Sequence, residues 1–175
     1  GGFDIATWVN RRQPIFPAER ADEVRRWTDL GDEAASAGRA LTTRRVLHAP
    51  DALKESLPPP IRSLGPIGMA IGRQACHQLL SKYGGAAAPD EVHADRLRAH
   101  LRTLREGLGG KEWLLGDFSW TDASAAIALH FVDPPAQAPI GPASRVCWTQ
   151  PAIAAEFPDL LAWRERTIAR VNAHR

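Results

Sequence analysis

The sequence predicts an all-α fold, a helical bundle of five to six helices, and three observations carry that prediction. Residues 119–132 join a helix-capping signal to a nearly all-apolar run. Apolar residues recur three or four apart through residues 18–49 and 89–108, which is the period of one helix face. No strand pattern exceeds Glu112-Trp113-Leu114-Leu115, a piece too short to require a sheet partner.

The elements follow in order. Residues 3–12 form a short amphipathic helix with Phe3, Ile5, Trp8 and Val9 apolar. Ten or so residues are marginal for an isolated helix in water, so this face needs a cover. Gln13-Pro14-Ile15-Phe16-Pro17 reads as an extended linker, because a residue before proline is pushed out of the helical region. Residues 18–49 then form one long helix whose apolar stripe is Val24, Trp27, Leu30, Ala34, Gly38 and Leu41, with Ser36, Arg39 and Thr43 on a solvated flank. Gly31 and Gly38 each cost about 1 kcal/mol against alanine in a helix, so close approach by a neighbouring helix, or a local bend, is expected there.

Residues 50–60, with Pro58-Pro59-Pro60, read as a break. A second long helix is expected over residues 61–83, with Gly65, Gly68 and Gly72 making a narrow groove near its start. Pro66 either kinks that helix or postpones its beginning, and Gly84-Gly85 stops it. The helix over residues 89–108 turns Val92, Leu97, Leu101, Leu104 and Leu108 inward and is closed by Gly109-Gly110.

Ser119 and Asp122 then form a capping box, each side chain satisfying a backbone N–H of the other, with aspartate in the place of the usual glutamate or glutamine. The apolar staple of that turn is weakened, since Phe118 precedes the cap but Ala123 stands where a large residue would meet it; the neighbouring Trp120 is expected to compensate. The helix from Trp120 to about Val132 is apolar all round and belongs at the centre of the core. A proline-rich loop over residues 133–142, a short helix to about Thr149 and terminal helices from Pro151 complete the chain.

Composition excludes several classes. The net charge is +2 over 175 residues, which gives no strong steering to nucleic acid or an anionic membrane. The doublets Arg11-Arg12, Arg25-Arg26 and Arg44-Arg45 read as solvated helix faces. No apolar run nears the roughly 20 residues of a membrane span, and no secretory signal is visible, so a reducing cytoplasm is the default. Cys76 and Cys147 are spaced for neither a metal nor a redox pair and read as buried or half-buried free thiols. The histidines read as single residues: His93 and His100 lie two turns apart, too far to share a metal, and His130 is the one expected to be buried. No Ser-His-Asp signature, phosphate loop or zinc spacing is present, so no catalytic residue and no metal is assigned. Most of the six tryptophans are expected in the core.

The turn-cap-helix of residues 115–132, the Pro158-Asp159-Leu160-Leu161-Ala162-Trp163 run within residues 151–175, residues 3–10 (FDIATWVN) and residues 17–32 (PAERADEVRRWTDLGD) appear in the order found in glutathione transferases. The chain resembles the C-terminal helical domain of that family over nearly its whole length. The resemblance implies three parts: residues 1–12 as the last helix of a preceding thioredoxin-like domain, 13–17 as linker, and 18–175 as the helical domain. It implies glutathione as co-substrate, held mainly by the thioredoxin-like domain, which carries the catalytic tyrosine, serine or cysteine. The acidic-serine pair for the γ-glutamyl end falls where this chain has Gly1-Gly2, which offer neither carboxylate nor hydroxyl.

For this domain the resemblance implies the wall of a hydrophobic electrophile pocket, with Trp27, Arg39 and Thr43 as candidates, and homodimer contacts through the two long helices. Trp27 reads first as core, and as a pocket residue only through the resemblance. A hydrophobic partner over Phe3, Ile5, Trp8 and Val9 is expected in either case. The alternative is a non-catalytic module for protein interaction or ligand binding.

Overall fold

The computed structural model describes residues 2–82 and 88–173, and among these the ordered elements are helices, with a single isolated bridge between Leu115 and Asp117. The chain opens with α1 (Gly2–Asn10), makes one 3-10 turn (Ala18–Arg20) and enters α2 (Ala21–His48). The expected stripe on α2 faces inward: Val24, Trp27, Ala34, Gly38 and Leu41 are buried, and Leu30 is partly buried against the same core. Both glycines sit at close approaches. A Cβ on Gly31 would stand 3.3 Å from the Ser124 carbonyl oxygen, and one on Gly38 would overlap the Cβ of Phe131.

The expected break at residues 50–60 is instead helical, as α3 (Pro50–Ser56) and α4 (Pro59–Arg62). Each has proline in its first turn, where the missing N–H would have had no helical partner. Pro66 postpones the next helix: α5 runs Pro66–Lys82, after Gly65 takes φ +57°. Gly68 lies against the Ile61 carbonyl and Gly72 against Leu57 and Leu53, so these two make the expected narrow contact, while Gly65 lies before the helix with nothing within 4 Å of an added Cβ. The expected end of this helix at Tyr83 and its stop at Gly84-Gly85 lie outside the described residues, as do Gly1 and His174.

The helix α6 (Asp90–Leu108) ends at Gly109, which is left-handed at φ 51° and donates its N–H to the Arg105 carbonyl. Its buried register is His93, Leu97, Leu101, Leu104 and Leu108. Val92 is 37% exposed and His93 only 2%, so both expectations for that turn are corrected. One residue is 100° of helix, and the inward line four residues before Leu97 falls on position 93. His130, expected buried, is half-buried, and burial together with the nearby Arg164 charge lowers its pKa.

The central helix α7 (Trp120–Ile127) tightens into a 3-10 turn over Ala128–Phe131. It is apolar but not covered all round, since Ile127 is 48% exposed. The remaining helices are α8 (Pro142–Trp148), α9 (Pro151–Glu156) and α10 (Pro158–Asn172). The ten α-helices found among the described residues exceed the expected five to six because proline divides the connections into short helices. The helix α2 is the common neighbour, packing on α1, α3, α5, α6, α7 and α8. The main core joins α2, α6, α7 and α10 around Leu97, Leu129, Phe157 and Trp163; a smaller one gathers Val46, Ala52, Leu53, Cys76 and Cys147. Both cysteines are free and buried. No helix of the described residues is long and apolar enough to cross a membrane.

Candidate functional site

The site begins with the turn before α7. Gly116 adopts φ 92°, a conformation open to glycine, and reverses the chain between Leu115 and Asp117. Both arms of the Ser119/Asp122 capping box are formed. Asp122 is fully buried. One of its oxygens accepts from the Ser119 N–H at 3.0 Å and the Ser119 hydroxyl at 3.3 Å; the other accepts from the Leu114 N–H at 2.9 Å. Burial pushes the Asp122 carboxyl above the usual aspartate value, against the pull of these donors. The box therefore ties the loop at Leu114 as well as capping the helix, which the local spacing does not reveal. The apolar partner of Phe118 is Trp113, edge-on at 5.0 Å, and not the expected Trp120.

The loop is pinned to the linker. The Trp120 N–H donates to the Ile15 carbonyl at 3.0 Å, and the Arg20 guanidinium donates to the Leu115 carbonyl. Asn10 Oδ1 accepts from the N–H groups of Ile15 and Phe16 at 2.7 and 3.0 Å. Phe16 is buried and stacks on Phe3 of α1. Between linker and loop lies an open groove of about 770 Å³, lined chiefly by Pro14, Ile15, Phe16, Phe118, Trp120, Ala123 and Val171, with Arg20 and Asp117 as its charged groups. A second groove, of about 480 Å³, lies on the other side of Phe16, against Phe3, Thr7 and Arg25.

The expected apolar face of α1 is divided. Phe3 packs on the core, while Ile5 and Trp8 stay 63% and 57% exposed. The Arg12 guanidinium lies 3.8 Å over the Trp8 ring, and that of Arg25 lies 4.3 Å over Phe3. These arginines are thus more than a solvated face.

None of the residues the sequence proposed for the electrophile pocket lines this groove. Trp27 is buried between α2 and α6. Arg39 is half-buried, its guanidinium 5.6 Å from the Phe131 ring centre. Thr43, expected on a solvated flank, is buried, because α2 is enclosed by helices on several sides. Gly2 donates its N–H to the Asp32 carboxylate at 3.4 Å. The groove residues themselves come from three distant segments, and the one signal for them was the apolar pair inside Pro14-Ile15-Phe16-Pro17. No group of three or more histidines, cysteines or carboxylates among the described residues could hold a metal ion.

No curated protein and no solved structure matches the chain. Residues 46–166 match the family model described as glutathione S-transferase, C-terminal domain. That span takes in the capped helix α7, the core helix α6 and the Pro158–Trp163 run, and the all-helical architecture agrees with it. On these grounds the chain belongs to the glutathione S-transferase C-terminal domain family.

Proposed function

We propose that this chain is the helical, electrophile-side part of a glutathione transferase-like protein, and that thiolate chemistry comes from a thioredoxin-like domain acting with it. The observation that carries this reading is the 770 Å³ apolar groove between the linker and the loop before α7. A groove of that size and lining suits an apolar small molecule with a few polar contacts, here from Arg20, Asp117 and Ser119. The chain brings no thiol of its own to the groove: Cys76 and Cys147 lie in the smaller core, and burial raises the pKa of both. Gly2 brings neither the carboxylate nor the hydroxyl expected of the γ-glutamyl site, so glutathione is assigned to the thioredoxin-like domain. Homodimerisation through the long helices remains part of the proposal.

The test is binding of an aromatic apolar probe to the purified chain, with conjugation of glutathione to 1-chloro-2,4-dinitrobenzene as the activity readout. Saturable probe binding that Ile15→Asp abolishes, without conjugation by the chain alone, is the expected result. Absence of probe binding by the folded chain overturns it. A second reading, a protein-interaction module, is favoured by Ile5 and Trp8, which stay exposed on α1. Its mark is a partner lost on Trp8→Ala while probe binding persists.

A further inference from the structure

Away from the linker, another groove, of about 520 Å³, opens where the end of α2 meets α5 and the start of α6. Arg44, Arg45 and His48 line it from α2, His77 from α5 and Asp90 from α6. We propose that this groove binds an oxyanion of the phosphate class. The inference does not depend on the function proposed above, since every group it uses lies in the helical domain.

Charge is the first reason. Two guanidinium groups and two imidazoles share the groove with one lining carboxylate. Geometry is the second. Arg44 Nη1 already holds an oxyanion there, the Asp90 carboxylate, at 2.8 Å. The Asp90 side chain is 51% exposed and that of Arg44 only 22%. The more enclosed guanidinium thus meets a solvated, replaceable carboxylate. An ion pair with a solvated partner contributes little, and a phosphate brings more charge and more acceptor oxygens to the same Nη1.

Two more lining groups bear on the ligand. His48 donates its Nδ1–H to the Arg44 carbonyl at 2.8 Å, which leaves Nε2 as the ring nitrogen for a ligand, a donor to an oxyanion only when the ring is protonated. Arg45 Nη1 is committed to the Thr149 carbonyl at 2.6 Å, so Arg45 adds positive charge to the groove rather than a hydrogen bond from that nitrogen. A cation is the wrong occupant, because the described His, Cys, Asp and Glu residues form no metal-holding group. An apolar ligand fits poorly beside so many charged and imidazole groups, in contrast to the linker groove.

The experiment is a titration of the chain with inorganic phosphate, and separately with glycerol phosphate, at low ionic strength, followed by ¹H–¹⁵N chemical shifts. Saturable shifts at Arg44, His48 and His77 are expected. Asp90→Asn removes the internal competitor and is expected to tighten binding at least threefold. His77→Gln changes an exposed side chain and is expected to weaken it at least threefold. Tighter binding of glycerol phosphate than of phosphate identifies a phosphomonoester as the ligand; equal binding identifies free phosphate. Absence of saturable shifts in both the parent chain and Asp90→Asn overturns the proposal, as does binding that neither substitution alters.

Discussion

The indole of Trp27 lies over Gly107 so closely that a methyl group placed on that glycine would overlap Cη2 and Cζ2 of the ring. This seat brings α2 and α6 together and makes Trp27 a packing residue. The expected outcome for Gly107→Ala follows. Overpacking costs about 1–3 kcal/mol, and the gain in helix propensity offsets up to about 1 kcal/mol. Urea unfolding is expected to show a net loss. Gly31→Ala is the control: its added Cβ would stand 3.3 Å from the Ser124 carbonyl, and it is expected to change stability much less. Equal effects at the two glycines would contradict the seat assigned to Trp27.

The capping box is asymmetric. Ser119→Ala removes one cap and is expected to cost about 1 kcal/mol. Asp122→Ala orphans the N–H groups of both Leu114 and Ser119 in a buried site, and is expected to cost about 3 kcal/mol, since each buried donor left unmade costs about 1–3 kcal/mol. Denaturant midpoints of the two variants measure the difference. A smaller loss for Asp122→Ala than for Ser119→Ala would show that the Leu114 bond contributes nothing.

Glu55 caps a helix it does not belong to. Its carboxylate accepts from the N–H groups of Ser144 at 2.7 Å and Ala143 at 3.2 Å, in the first turn of α8. The Ser144 amide, and behind it the Ser144 hydroxyl, the Ala143 amide and Arg62, hold the Glu55 carboxyl below the usual glutamate range, against desolvation. A carboxyl depressed in the folded state stabilises it above the unfolded pKa of about 4.3, and that contribution is lost as pH falls through the lower folded value. The parent chain is therefore expected to melt higher than Glu55→Gln near neutral pH, with the gap closing on acidification below about pH 4. A gap independent of pH would mean that the charge of Glu55 is not what caps α8.

Burial raises the thiol pKa of both Cys76 and Cys147, with Glu55 adding to the effect at Cys147 and Arg45 opposing it. Only the thiolate alkylates at a useful rate. Both cysteines are expected to resist iodoacetamide in the native protein and to react once it is unfolded, as intact mass would show. Rapid labelling of either in the native state would remove it from the smaller core.

Much of the fold is written locally. The Ser119 cap, the left-handed Gly109 and the α2 stripe each depend on residues within a turn or two, or on a period that only a helix satisfies; the helix-interior Gly31 and Gly38 signal close approach, though their partners lie far along the chain. Where local reading failed, the deciding contact was distant or the signal ambiguous. Proline at residues 50–60 serves equally as a helix breaker and as a first-turn residue. The inward position of α6 at His93 over Val92 is set by the register of the whole helix.

An all-helical domain of this family is legible along the chain, because helix signals are short-ranged and the apolar periodicity admits no sheet. The sites arise from packing between distant segments. The linker groove needs residues 14–20, 115–123 and 171 in one place; the basic groove needs Arg44, His77 and Asp90 together; and Glu55 meets Ser144 across 89 residues of chain. Such juxtapositions depend on how helices cross, and no spacing along the chain encodes them.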